Sequence, residues 1–124
     1  MIKVVSLFKK KDGLSDEEFR DYYENTHSKL FDEFLSVPGV ERYTRRYLTP
    51  SPDSISGKVR HCGFDVIMEV WCDEEWYDTY FVKQPPEEFR ALIAEDEARL
   101  FDRDHMFTCV VEEYDTDLSK LSML

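Results

Sequence analysis

Four short segments of the chain are rich in β-branched and aromatic residues, which is typical of β-strands. The segment from residue 64 to 72 alternates most clearly, with Phe64, Val66 and Met68 on one face and Trp71 on the other. The four predicted strands are residues 2–10, 40–48, 64–72 and 105–114.

Two stretches with the helical spacing of hydrophobic residues lie between these strands. Ser15 and Glu18 form a capping box at the start of the first stretch. Pro38-Gly39 ends the helical pattern, because proline and glycine both terminate helices. The first helix is therefore predicted over about residues 16–35.

The second helical stretch is predicted to be split in two. Asp73 suits the N-cap of a short aromatic helix, and Pro85-Pro86 breaks that helix. Residues 87–102 then carry hydrophobic side chains along one side, which predicts a longer second helix.

The predicted order is β-α-β-β-α-β, the ferredoxin-like arrangement of the α+β class. It places a four-stranded antiparallel sheet under helices that cover one face. The other face then carries Ile67 and Trp71 of the third strand and needs a partner. A second copy of the chain is the simplest partner, since symmetric pairs dominate soluble oligomers.

The length of 124 residues predicts one domain. We assign it to residues 1–114, followed by a tail over residues 115–124. Residues 49–63 contain two prolines, two glycines and three serines, which predicts a long loop.

The charge balance excludes some partners. Acidic residues number 27 and basic residues 16, which gives a formal net charge of −11. Such a surface repels phosphate backbones and anionic membranes, so neither nucleic acid nor a membrane is an expected partner.

The first residues lack the charge order of a signal peptide, and no apolar run is long enough to span a bilayer. Three cysteines without a secretion signal predict reduced thiols in a cytoplasmic protein, with no metal site.

Aromatic residues make up 15% of the chain, with nine Phe, seven Tyr and two Trp. Such a set either lines a pocket for a flat organic molecule or simply fills a small core. The sequence leaves both interpretations open.

His27 lies four residues after Tyr23 and eight after Phe19, near the flank of the apolar stripe of the first helix. An imidazole there is costly to bury unless its nitrogens find partners. It also titrates nearest to neutral pH, so it is a candidate acid or base. The alternative is a core histidine that donates to a backbone carbonyl.

The opening segment resembles the start of the EthD family, a branch of the dimeric α/β-barrel superfamily. The residues that carry this likeness are a Gly13-Leu14-Ser15 turn, an E-E-F-x-x-Y segment and the pair Thr26-His27. Three later segments are also similar to the family pattern: PGVERY at 38–43, DVIMEVW at 65–71 and EDEARLFD at 95–102.

This resemblance implies a homodimer whose two sheets face each other as a barrel, with a pocket in each subunit between helices and sheet. Relatives in the superfamily act on small ring compounds without a metal or organic cofactor, so no cofactor is expected. The likeness also strengthens the functional interpretation of His27.

Tyrosines near His27 are the next candidates. Tyr23, one turn before His27, either hydrogen-bonds a substrate oxygen or is an ordinary core aromatic, and Tyr22 is the other near polar neighbour. Tyr43 and Arg45 share a face of the second strand, where they either bind an anion or form part of a dimer interface.

The remaining titratable residues could be catalytic or could have structural roles. Asp65 and Glu69 share a face of the third strand, and Glu69 is expected to pair with Arg45 or Arg46 rather than to act as a base. His105 is either a second acid–base group or a cap of the preceding helix.

We therefore expect a cofactor-independent isomerase, dehydratase or decarboxylase acting on a small cyclic or aromatic oxygenated metabolite, such as a lactone or polyketide. His27 is expected to move the proton, and Tyr23 or Tyr43 to stabilise the oxygen. Two alternatives remain: a cofactor-free monooxygenase of quinol- or anthrone-like substrates, and a non-catalytic ligand-binding dimer. Residues expected to contact substrate are Tyr22, Tyr43, Phe64, Met68, Trp76, Phe101 and His105.

Overall fold

The computed structural model describes residues 1–121 and has the predicted β-α-β-β-α-β order. Its strands are β1 Ile2–Lys10, β2 Val40–Tyr47, β3 Val66–Cys72 and β4 Phe101–Val111. Its helices are α1 Asp16–Asn25, α2 Asp32–Leu35, α3 Glu74–Tyr77 and α4 Glu87–Leu100. Short helical turns follow α1, α3 and β4, at His27–Phe31, Asp78–Val82 and Leu118–Lys120. Of the predicted tail, residues 122–124 lie outside the described part.

The four strands form one antiparallel sheet in the order β2-β3-β1-β4. On central strand β1, the alternate residues Val4, Ser6 and Phe8 are buried beneath the helices. Val4 lies opposite Val70 of β3 and Val110 of β4. The α+β ferredoxin-like fold with helices on one face is confirmed.

The first helix is not continuous to residue 35, as the sequence had suggested. α1 starts at the predicted Ser15–Glu18 capping box but ends at Asn25, since Thr26 leaves the helical conformation with φ −126° and ψ −65°. The Ser28 hydroxyl donates to the Glu24 carbonyl at 2.9 Å, where a continuous helix would place a backbone amide. The chain therefore tightens into a 3₁₀ turn that begins at His27.

The boundary between α4 and β4 also differs from the prediction. α4 ends at Leu100 and β4 starts at Phe101, four residues earlier than expected. Phe101 is extended because its ring is buried against Phe8, with the ring centroids 4.4 Å apart. Tertiary packing thus starts β4 earlier than the sequence pattern indicates.

The core consists of two hydrophobic clusters beneath the helices. One contains Phe8, Phe19, Tyr23, Leu100 and Phe101. The other contains Val4, Val70, Cys72 and Trp76, with Trp76 positioned by the predicted Asp73 cap of α3. The space between the helices and the sheet is not completely filled, and members of both clusters border it.

Candidate active site

A cavity of about 430 Å³ lies between the helical layer and the sheet. This volume is in the range of pockets that hold small organic ligands, about 300–1,000 Å³. Its surface is mainly apolar and aromatic. Among the side chains that line it are Phe31, Phe34, Tyr43, Met68, Trp76 and Phe89.

His27 lines this cavity from the 3₁₀ turn after α1, and its side chain is only 2% exposed. Three aromatic rings meet the imidazole edge-on, those of Tyr23, Phe31 and Phe101, with centroids 5.3–5.4 Å away. Such close packing fixes the plane of the imidazole. The predicted position of His27, buried on the apolar side of the helical segment, is confirmed.

Asp96 of α4 is the polar partner of His27. Its Oδ2 lies 2.6 Å from His27 Nδ1, and Asp96 is also buried. The Tyr22 hydroxyl donates to the other oxygen of the same carboxylate. Because a carboxylate only accepts hydrogen bonds, we assign the proton of the neutral imidazole to Nδ1. Nε2 then keeps a lone pair and accepts no hydrogen bond from residues 1–121.

Burial sets the charge state of His27. It lowers the pKa of the imidazole, because the charged form loses its hydration, and the carboxylate of Asp96 opposes this effect only in part. At neutral pH, His27 is therefore uncharged and able to accept a proton. The nearby carboxylate stabilises the imidazolium that forms when it does so.

Tyr23 and Tyr43 keep their protons at neutral pH. Burial raises the pKa of Tyr23 well above its ordinary value and also raises that of Tyr43. Both side chains line the cavity with His27. A phenol that remains protonated is a hydrogen-bond donor, so these two are suited to an oxygen that gains negative charge.

Arg45 does not line the cavity but pairs with a carboxylate of α1. Its Nε and Nη2 donate to the two carboxylate oxygens of Glu24 in α1, at 2.9 and 2.6 Å. The Tyr47 hydroxyl donates to the same carboxylate at 2.5 Å. This cluster ties β2 to α1 and holds α1 above the sheet.

Most of the predicted site residues converge, although with different roles. Tyr23, His27, Tyr43, Met68 and Trp76 line the cavity together. Phe101 is buried behind the imidazole, and Tyr22 binds Asp96 instead of bordering the cavity. Both therefore support His27.

Phe64 and His105 are not brought to the cavity. Phe64 precedes β3, and its ring packs against Phe107, 5.8 Å between centroids, outside the helix-covered side. His105 is exposed, and its Nδ1 lies 2.9 Å from Asp102 Oδ2 on the surface. Neither is placed to contact a ligand in this cavity.

The strand carboxylates also lie elsewhere. Glu69 is on the helix-free face of β3. Its Oε2 lies 3.0 Å from Arg46 Nη1, so the two side chains form the ion pair that the sequence predicted. Their geometry is not that of a hydrogen bond. Asp65 accepts from the backbone amide of Lys10 at 2.8 Å and lies 3.3 Å from His61 Nε2. The long loop at residues 49–63 contributes no side chain to the cavity.

Asp96 was not identified from the sequence as a site residue. The signal was present in the spacing of α4, where Phe89, Ile93, Asp96 and Leu100 follow the helical repeat. A carboxylate inside an apolar stripe requires a buried partner. His27 is that partner, although it lies 69 residues earlier in the chain.

Residues 1–121 lack two kinds of feature. No group of three or more His, Cys, Asp or Glu side chains is placed to bind a metal ion. No helix in this part of the chain has the length and apolar character needed to cross a bilayer.

One family profile matches most of the chain. The profile of the EthD domain matches residues 11–104. A solved EthD-family protein of Bacillus halodurans is similar, with 20% identity and a TM-score of 0.57 over 92% of this chain and 99% of that one. A solved Arabidopsis thaliana protein has 16% identity and a TM-score of 0.59 over 95% and 100%.

At these identities, the solved structures establish similarity of fold alone. Among curated proteins, none matches the sequence significantly. The EthD profile, however, covers most of the chain and includes Thr26, His27 and Asp96. The chain therefore belongs to the EthD family.

Proposed function

We propose that this protein is a cofactor-independent acid–base enzyme of the isomerase, dehydratase or decarboxylase type. Its substrate would be a small cyclic or aromatic oxygenated metabolite, such as a lactone or polyketide. The observation that carries the proposal is the buried His27–Asp96 pair at the wall of an aromatic cavity. Its imidazole is neutral, held in a fixed orientation and borders the cavity in which a ligand would bind.

His27 would act as the base. Its Nε2 takes a proton from a carbon next to a carbonyl group, and the electrons of the C–H bond form an enolate. The Nδ1 proton remains directed at Asp96, which stabilises the resulting imidazolium. Return of the proton from the imidazolium to another carbon gives an isomer. Transfer of the same proton to a neighbouring hydroxyl group, which leaves as water, gives a dehydrated product.

Tyr23 and Tyr43 would stabilise the enolate oxygen. Their hydroxyl groups are protonated donors inside an apolar cavity, where a hydrogen bond to a developing negative charge is stronger than in water. Met68 and Trp76 would hold the ring of the substrate. Phe101 and Tyr22 would keep the His27–Asp96 pair in place.

Deuterium exchange provides a test that needs no knowledge of the natural substrate. We would incubate the protein in D₂O with a panel of lactones, phenolic acids and cyclic ketones and follow exchange at activated carbons by NMR. The wild type is expected to accelerate exchange of at least one compound, and His27→Gln to abolish the effect. His105→Gln is the matched control, because His105 is exposed and away from the cavity.

Equal exchange by the wild type and His27→Gln would contradict the proposal. Ligand binding without any exchange would favour the non-catalytic ligand-binding dimer. Oxygen consumption with an anthrone would instead favour the monooxygenase.

We also propose a homodimer formed through the helix-free face of the sheet. Phe107 on this face is 49% exposed. A second copy packed against this face would cover the exposed ring.

The cytoplasm is the compartment that we propose. Cys62 and Cys109 are exposed free thiols. Exposed thiols persist in a reducing compartment.

A further inference from the structure

Two arginines lie at the rim of the cavity, on the side where α4 meets β4. Arg90 belongs to α4 and Arg103 to β4, and both line the cavity while remaining exposed to solvent. Arg103 Nη1 donates to the Ala94 carbonyl at 3.1 Å. Arg90 Nε and Nη1 donate to the Pro85 carbonyl and to Gln84 Oε1, each at 3.0 Å. These contacts hold both guanidinium groups at the rim.

Neither rim arginine is neutralised by an ion pair. Within residues 1–121, the arginines that pair with carboxylates are Arg45, Arg46 and Arg99. Arg90 and Arg103 donate to neutral oxygen atoms alone, so both retain their charge and free N–H donors.

Glu97 is the one carboxylate among the side chains that line the cavity. Burial raises its pKa, while the charge of Arg103 opposes that shift. The other carboxylate next to the cavity, Asp96, already binds His27 and Tyr22. The positive charge of the cavity is therefore at its rim, on Arg90 and Arg103.

We propose that the cavity accepts an anionic aromatic compound, a planar ring that carries a carboxylate. The carboxylate would bind Arg103 and Arg90 at the rim, where guanidinium groups offer paired donors to two oxygens. The ring would enter between Phe31, Phe34 and Trp76, towards His27. The proposal rests on the proposed function and adds the charge of the substrate and the residues that recognise it.

Binding of two matched probes tests this assignment. 2-Naphthoate and 2-naphthamide share one ring system and differ mainly in charge, so calorimetry can separate ring binding from charge recognition. The wild type is expected to bind naphthoate about tenfold more tightly than the amide. Added NaCl is expected to weaken binding of the naphthoate alone.

Arginine variants show which residues cause the preference for the charged probe. Arg103→Gln and Arg90→Gln are each expected to weaken naphthoate binding about three- to tenfold and to leave naphthamide binding unchanged. Arg103→Lys is expected to retain part of the preference. Arg60→Gln, an equal charge change in the exposed long loop, is the control and is expected to have no effect.

Equal affinity for the two probes would overturn the inference, as would a failure of naphthoate to bind at millimolar concentration. An equal loss in Arg60→Gln would also overturn it, since the effect would then be one of net charge. His27→Gln separates the two proposals. It is expected to keep the preference for naphthoate even if deuterium exchange shows that the proposed chemistry is wrong.

Discussion

The Nδ1 atom of His27 lies 2.6 Å from Oδ2 of Asp96, and both side chains are buried. This contact joins the 3₁₀ turn after α1 to the middle of α4. Burial of an imidazole and a carboxylate costs free energy, and a purely structural role does not account for that cost. Their contact is therefore the centre of the predictions that follow.

Replacement of His27 by glutamine is expected to remove proton transfer. Glutamine fills similar space but is not a base at neutral pH, and loss of a general base typically costs about 10²- to 10⁴-fold in rate. The measurement is the exchange or turnover rate of the compound that the wild type processes. Thermal unfolding at the assay pH must show that the variant is folded, and an undiminished rate would exclude His27 as the base.

Replacement of Asp96 by asparagine is expected to change the pH profile as well as the rate. The carboxylate raises the pKa of His27 against the effect of burial, so its loss moves the acidic limb of kcat/KM to lower pH. The rate should also fall, because the imidazolium loses its counter-charge. Glu95→Gln removes an equal charge on the exposed side of α4 and should leave the profile in place.

The free energy of unfolding is expected to fall as the pH drops below about 6.5. The folded-state pKa of His27 is lowered, so the unfolded chain takes up a proton that the folded protein excludes. The loss approaches about 1.4 kcal/mol per pH unit until the folded-state pKa is reached. Urea unfolding between pH 5 and 8 measures it. The His27→Gln variant should lack this pH dependence. If the free energy of unfolding falls in parallel for both proteins as the pH drops, the prediction is wrong.

Phe101→Leu is expected to lower the free energy of unfolding by about 1–3 kcal/mol. The Phe101 ring is 2% exposed and packs against Phe8, Phe19 and His27. Urea denaturation gives the value, with Leu92→Ala on the exposed side of α4 as a control that should change it little. The rate should fall too, since the imidazole loses the ring behind it.

Phe107→Glu is expected to produce monomers. This substitution places a charge within the proposed interface on the helix-free face of the sheet. Sedimentation velocity measures the change in mass, and Leu92→Glu, at a side chain with the same 49% exposure on α4, should remain dimeric. A monomeric wild type would contradict the proposed homodimer directly.

The strand pattern and the helix signals were sufficient to predict the fold class. Strand β1 was located to the residue, because its hydrophobic and branched side chains are bounded by a Lys-Asp-Gly turn. The Ser15–Glu18 box placed the start of α1 correctly, since capping depends on neighbouring residues alone. Local signals of this kind do not require knowledge of the tertiary structure.

Element ends that depend on distant contacts were not predictable. The helical pattern continues across Thr26, yet the helix stops there and places His27 towards Asp96. Phe101 looked like the end of a helix, but its burial against Phe8 makes it the first residue of β4. In both cases, packing against a segment far away in the chain decided the local conformation.

His27 was identifiable from the sequence, because a titratable ring on an apolar helix stripe is unusual. Asp96 was marked by the same kind of spacing on α4, but nothing in the sequence connected the two residues. Arg90 and Arg103 carry no sequence signal for a binding site at all. Only the fold places them at one cavity.

The sequence by itself determined the order of strands and helices, because hydrophobic periodicity and capping act over a few neighbouring residues. The tertiary structure alone decided which polar groups meet: His27 with Asp96, Arg45 with Glu24, and Arg90 with Arg103 at one rim. The physical reason is that burial and electrostatic pairing depend on distances in space, which the separation of residues along the chain does not fix.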